Sequence, residues 1–346
     1  DRRQRQMCIR DRADTVQYAR DYYTWIAVGA PFIILSFTPC NQLRTEGFAN
    51  ASMIGSVLGA VVNIVLDPVL IFGCKLGAAG AAIATVIGYV FTDLYYVWFL
   101  IRRSRHLSVN IRLLRVSRRE VGQVFAIGIP ASITNIAQSF CVLITNRFLV
   151  PYGTDKVAAM GIALKVSMIA VLILIGFAFG VQPLIGYNYA SGNHCRMRST
   201  VLISTLASVA MATLCMTVSL CFSRQLIGIF IQHGSDSVVY GARFLRILSL
   251  GGPFSACAYA FISFFQATGK GMKSFLLAIL RKGLVDIPLM FILNNAMPIY
   301  GIVWATPIAD VICCVTAIAF FTSFMRQHAD LLSDQPVAGM AQSAKV

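Results

Sequence analysis

The chain has 346 residues, 57% of them hydrophobic and only 12% charged, with a mean hydropathy of +0.72. A water-soluble protein of this length needs far more charge to cover its surface, so a soluble globular fold is excluded. The formal net charge of +15 does not indicate nucleic acid, because the basic residues sit in short connections and no folded basic domain is left to carry that role.

In chain order, the first residues stand apart. Residues 1–12 hold Arg2, Arg3, Arg5, Arg10 and Arg12, and they read as non-native junction sequence, with a basic extracellular tail as the alternative. Apolar runs then occupy 22–43, 50–73 and 77–101, and later 121–150, 157–187, 199–222, 239–267, 273–294 and 299–325. Each reaches the roughly 20 residues that a spanning helix requires. The runs are continuous instead of alternating, so they predict helices and not barrel strands. The expected fold is therefore an all-α integral membrane protein with nine spans.

Polar groups inside the first three runs are costly in lipid and mark candidate sites. Asn63 and Asp67 stand four residues apart, so one helix face carries both. Thr85, on the next run, can add a hydroxyl. A carboxylate, an amide and a hydroxyl that converge can bind Na⁺ or hold a proton. The alternative is an acid at a helix end on the membrane surface. Asp93 lies inside the same run as Thr85 and is a candidate proton site.

Residues 102–119 form the one long polar link and carry seven arginines. They are expected to be a basic cytoplasmic loop between a lobe at 13–101 and a six-helix lobe at 120–326. Further basic residues at Arg196, Arg198, Lys270, Lys273 and Arg326 follow every second run. By the positive-inside rule these loops and the tail 327–346 are cytoplasmic, in a plasma (inner) membrane protein.

In the second lobe Asn135, Gln138 and Asn146 lie on one run, and Gln182 and Asn188 on the next. Their amides are candidates for substrate binding or for holding helices together. Lys165 is expected to be a buried cation that balances an acid elsewhere. Arg281 and Lys282 are expected to snorkel to the cytoplasmic surface, and Asp286, four residues after Lys282, fits an ion pair. Asp310 is a further candidate proton site. The ten cysteines lack metal-ligand spacing and read as small apolar residues, so no disulfide framework, metal centre or cofactor is expected beyond a coupling ion. His106, His194, His233 and His328 all fall in or beside connections, which argues against an enzyme built into the spans.

The stretch from Tyr18 to Thr85 recurs about 222 residues later. Tyr18 pairs with Tyr240, Gly29–Ala30–Pro31–Phe32 with Gly251–Gly252–Pro253–Phe254, and Gly47 with Gly269. After a small slip, Pro68 pairs with Pro288, Gly80 with Gly301, and Ala84–Thr85 with Ala305–Thr306. Repeats in so apolar a chain point to a transporter with a binding site between two related halves. Three spans precede the second copy, so three more are expected upstream of the first, giving twelve. The chain then reads as an N-terminally truncated piece with half of its first lobe.

Several segments resemble one known family. Asn63–Ile64–Val65–Leu66–Asp67 and Gly77–Ala78–Ala79–Gly80–Ala81–Ala82–Ile83–Ala84–Thr85 resemble the fifth and sixth helices of multidrug and toxic compound extrusion (MATE) transporters. Gly128–Ile129–Pro130, Gly161–Ile162–Ala163 and the run from Gln182 to Ala190 are similar to the seventh and eighth. The resemblance implies two pseudo-symmetric six-helix lobes and antiport driven by Na⁺ or H⁺, with export of organic, often cationic, compounds; the sequence does not give the oligomeric state, and a monomer is the expectation. It places the cation at Asn63, Asp67 and Thr85, and it implies that the bound ion favours a bent first helix that releases drug outward. The family's first-helix acid would lie upstream of residue 1, and Gln138 stands where some members carry a seventh-helix carboxylate. Two other readings stay open: a flippase for lipid-linked precursors from the same superfamily, and a non-catalytic membrane protein fragment.

Overall fold

The computed structural model describes residues 2–104, 117–230 and 236–327; side chains are not described for residues 2–15, for several positions between 123 and 135, or for residues 154 and 236. Every regular element among the described residues is helical: α1 (Arg2–Thr45), α2 (Ala49–Pro68), α3 (Gly77–Arg103), α4 (Arg118–Leu149), α5 (Thr154–Ala190), α6 (His194–Gly228), α7 (Asp236–Leu250), α8 (Gly252–Ala267), α9 (Gly271–Ile279), α10 (Asp286–Ala296) and α11 (Tyr300–Gln327). A π-helical turn, Val69–Gly73, continues α2, and another, Leu280–Val285, joins α9 to α10.

The chain divides into two compact units, Asp1–Arg115 and Val116–Val346. The division falls inside the expected link at 102–119, of which residues 105–116 lie outside the described residues, as do 328–346 of the tail. The backbone of residues 2–12 belongs to α1.

Among the described residues, six helices are long and apolar enough to cross a membrane, and a seventh span results if α7 and α8 count as one, bent by 45°. The break has a local cause. Pro253 opens α8 in its first turn, where a missing N–H costs least, and Gly251 caps it. The matching Pro31 stays inside an unbroken α1. The remaining two of the nine apolar runs are also helical but are not among these six or seven. One is α4. The other is divided into α9 and α10 by a π turn that holds Arg281 and Lys282.

In unit 1, α2 and α3 meet along glycines. A methyl group on Gly59 would fall 2.0 Å from Thr92 Oγ1, and one on Gly88 would fall 2.7 Å from the Gly59 carbonyl oxygen. Tyr96 donates to the Ser52 carbonyl at 2.8 Å, and Thr92 donates to the Gly55 carbonyl at 3.2 Å. Small residues let membrane helices approach this closely, which matters because lipid provides no hydrophobic drive for association. The outer faces stay apolar: Ile64 and Val65 are 68% and 59% exposed.

Among its described residues unit 2 has two large apolar cores and a smaller cluster of Leu174, Ala212 and Ala256. One large core gathers Leu149, Met160, Phe244, Leu245 and Ile302. The other stacks Phe261, Phe264, Phe321 and Phe324 of α8 and α11, with ring centroids 4.8–5.3 Å apart.

The sequence repeat is visible in three dimensions. Gly47 and Gly269 both have positive φ, +88° and +71°. Each ends a helix with the same bond, from Phe48 N–H to Leu43 and from Lys270 N–H to Phe265, both at 2.8 Å. The paired residues Gly29 and Gly251 also face equivalent partners. A methyl group on Gly29 would strike Val86, and one on Gly251 would lie 3.2 Å from Pro307 Cα.

Candidate functional site

The close contact of α2 and α3 sets up the polar group in unit 1. Gly55, Gly59 and Asn63 share one face of α2, and Thr85, Gly88 and Thr92 share one face of α3. A methyl group on Gly88 would come within 3.3 Å of Asn63 Cβ, so the glycine contact brings Asn63 against α3. Asn63 Nδ2 lies 3.3 Å from both Asp67 Oδ1 and Thr85 Oγ1. The Thr85 hydroxyl donates at 2.9 Å to the Ala81 carbonyl, which leaves its lone pairs facing Asn63. All three side chains are half-buried. The structure therefore brings together the carboxylate, amide and hydroxyl that the spacing singled out.

The charge balance here is notable. The two ion pairs among the described residues are Arg281–Asp310 and Lys282–Asp286, and neither involves Asp67. Asn63 turns its Nδ2 toward the carboxylate and the hydroxyl, and with the amide reversed the three side chains would present oxygens suited to a hard cation or a proton, with no basic side chain among the described residues paired to Asp67.

The amides of unit 2 are arranged differently. Asn146 sits near the end of α4, while Asn188 lies about 50 Å along α5 from its first residue, at a rise of ~1.5 Å per residue. Asn188 is buried and donates at 2.8 Å to the Leu184 carbonyl of its own helix. Gln182 and Asn146 are half-buried, Gln138 is exposed, and the Asn135 side chain lies outside the described residues. A groove of about 520 Å³ is lined by Arg147, Phe148, Tyr152, Phe291 and Asn294, and it includes none of these five amides.

Three expectations for basic residues need correction or refinement. Arg281 does not snorkel: it is 6% exposed and pairs with Asp310 across α11. Its guanidinium also donates to Ser255 Oγ at 3.2 Å and lies over the Tyr259 ring at 4.4 Å, while Ser255 donates to Asp310 Oδ2 at 2.6 Å. Arg281 has no need to reach the surface, because a buried acid lies within reach: Asp310 supplies the counter-charge and Ser255 a further acceptor. Lys282 likewise stays inside and forms the i, i+4 pair with Asp286 at 3.3 Å. Lys165 is exposed, not buried. Sequence reasoning missed the Ser255–Arg281–Asp310 group because its members come from separate helices, and no spacing rule links them.

Asp93 is 6% exposed, and neither carboxylate oxygen has a hydrogen-bond partner among the described residues.

Comparison with known proteins gives a consistent result. The sequence model of the MatE family matches residues 130–292. The Multidrug export protein MepA of Staphylococcus saprophyticus is 32% identical over 308 residues, which is 88% of this chain and 67% of that protein. The protein of the same name from Staphylococcus aureus is 32% identical over 307 residues, with the same coverage. The chain thus spans about two thirds of the length of these relatives. Among solved structures, one described as the outward-facing conformation of a multidrug resistance MATE family transporter of the MOP superfamily superposes with a TM-score of 0.83 at 22% identity, covering 90% of this chain and 70% of that one. A MOP superfamily transporter from Pyrococcus furiosus gives a TM-score of 0.83 at 23% identity, over 88% of this chain and 69% of that one.

Proposed function

The chain belongs to the MATE family of multi-pass membrane transporters, and from that premise we propose that it exports organic, often cationic, drugs or metabolites in exchange for Na⁺ or H⁺ held at Asp67. The observation that carries the coupling is an acid without an ion pair: Asn63 bonds both Asp67 and Thr85 at 3.3 Å, and among the described residues no lysine or arginine pairs with the carboxylate. A carboxylate on a lipid-embedded helix without a fixed counter-charge takes its positive charge from solution. Drug export is supported by the staphylococcal relatives, which are multidrug export proteins by name.

Coupling follows if the ion binds one conformation of the protein more tightly than another, because a ligand shifts an equilibrium only by its differential affinity. Asn63 holds Asp67 and Thr85 in one place while the ion arrives or leaves. The basic ends Arg102, Arg103 and Arg326 support a cytoplasmic C-terminus by the positive-inside rule. A lipid-linked precursor would call for a cationic inner surface. Arg281 and Lys282 are neutralised by Asp310 and Asp286, which favours drug export over that alternative.

The test is efflux of a fluorescent organic cation such as ethidium from cells that express the protein or its Asp67→Asn variant at equal membrane levels. The variant is expected to lose energised efflux while remaining folded. Full efflux by the variant would reject the assignment of the coupling ion to Asp67.

A further inference from the structure

We propose that Lys282 is a built-in cation: its ammonium holds, in unit 2, the place that a mobile ion takes in unit 1, and so limits the chain to one coupled ion. The inference rests on the reading of Asp67 as the site of that ion. Its own basis is a comparison of the two copies of the repeat, each considered internally. In the first copy, Asn63 and Asp67 stand at i and i+4, and Asn63 bonds both Asp67 and Thr85 of the following helix. In the second, Lys282 and Asp286 stand at i and i+4, and Asp286 bonds both Lys282 and Thr306 of the following helix. Thr85 and Thr306 are paired by the repeat itself. Counted from the Pro68–Pro288 pairing the two acids lie one position apart, and a π turn stands beside each, Val69–Gly73 after Asp67 and Leu280–Val285 before Asp286; the correspondence of the two groups rests on their contacts.

The difference that matters between the two groups is a fixed positive charge. Thr306 Oγ1 bonds Asp286 at 3.2 and 3.4 Å, Cys141 Sγ bonds it at 3.3 Å, and Lys282 Nζ lies 3.3 Å from Oδ2. Asp286 is fully buried, yet it has a fixed positive partner. The corresponding position in unit 1 holds the neutral amide of Asn63. Both copies therefore present an acid and a threonine hydroxyl, but in only one is the balancing charge covalently attached. A lysine ammonium is a compact point charge, the closest side-chain equivalent of a bound monovalent ion. It cannot dissociate, so the second group has no exchange of ions with solution.

Replacing Lys282 with asparagine copies the first group into the second and should create an ion site there. The measurement is radioactive Na⁺ binding to the detergent-purified protein at alkaline pH. Lys282→Asn is expected to bind one more Na⁺ per chain than the unaltered protein. Asp286→Asn added to it should remove the extra ion. The gain should persist in an Asp67→Asn background, which separates it from the unit 1 site. A folded Lys282→Asn protein without the extra Na⁺ would overturn the proposal. The neutral pair Lys282→Met with Asp286→Asn provides a second test that leaves no buried charge unpaired. It is expected to bind as many ions as the unaltered protein, and a smaller number would mean that Asp286 already holds a mobile ion, overturning the proposal. If Asp67→Asn alone leaves ion binding unchanged, the unit 1 reading fails, while the Lys282 result still stands or falls on its own data.

Discussion

Gly88→Ala is the most informative single substitution, because it acts on the ion group without replacing a proposed ligand. The added methyl would lie 2.7 Å from the Gly59 carbonyl oxygen and 3.3 Å from Asn63 Cβ. A carbon and a carbonyl oxygen settle at about 3.3–3.6 Å, so α2 must retreat from α3 by roughly 0.6–0.9 Å. No rotamer change relieves a clash with backbone. The same retreat would carry Asn63 Nδ2 from 3.3 Å to roughly 4 Å from Thr85 Oγ1, past the limit of a hydrogen bond. Overpacking of this kind costs about 1–3 kcal/mol, partly offset by up to ~1 kcal/mol from the better helix propensity of alanine. Loss of one neutral hydrogen bond of ~1 kcal/mol would weaken cation affinity roughly fivefold. The assay is cation titration followed by binding and by thermal stabilisation of the purified protein. Gly176→Ala serves as the control, since a methyl group there meets nothing within 4 Å. If Gly88→Ala matches that control in stability and in cation affinity, the argument that the glycine contact positions Asn63 is wrong.

Two further substitutions probe the buried acids. Arg281→Met should destabilise the protein by about 3–5 kcal/mol by leaving Asp310 uncompensated, and adding Asp310→Leu should recover much of that loss; denaturation of the two variants side by side reads the difference. Asp93→Asn should keep or raise thermal stability, because it removes a buried acid with no hydrogen-bond partner among the described residues; a loss as large as that of Arg281→Met would show that the charge at Asp93 is held by a partner or an ion.

Local features of the sequence carried most of the fold and part of the candidate site. Apolar run length located the helices, and the sequence pairing of Gly47 with Gly269 corresponds in the structure to two helix ends with positive φ, which glycine takes without strain. The group of Asn63, Asp67 and Thr85 was visible because two members share a helix face and the third lies on the next helix of a tight pair. Contacts between helices remote in sequence were not legible. Arg281 and Asp310 are 29 residues apart, and Ser255 comes from a third helix, so their neutrality emerges only from packing. The Gly55–Gly59 face went unread because glycine is common throughout the chain, and only the 2.2 Å and 2.0 Å that would separate an added methyl from Tyr96 and Thr92 mark these glycines as the contact. The two π turns escaped for a related reason: one extra residue in a turn leaves the apolar pattern nearly unchanged.

The central claim is that an ion at Asp67 drives export, and the direct measurement uses the purified protein in sealed proteoliposomes. A Na⁺ or pH gradient is imposed, and movement of an organic cation is followed with and without an ionophore that collapses the gradient. The account predicts uphill movement with one of the two gradients, abolished both by the matching ionophore and by Asp67→Asn. Gradient-driven movement of full rate and extent in Asp67→Asn would contradict it.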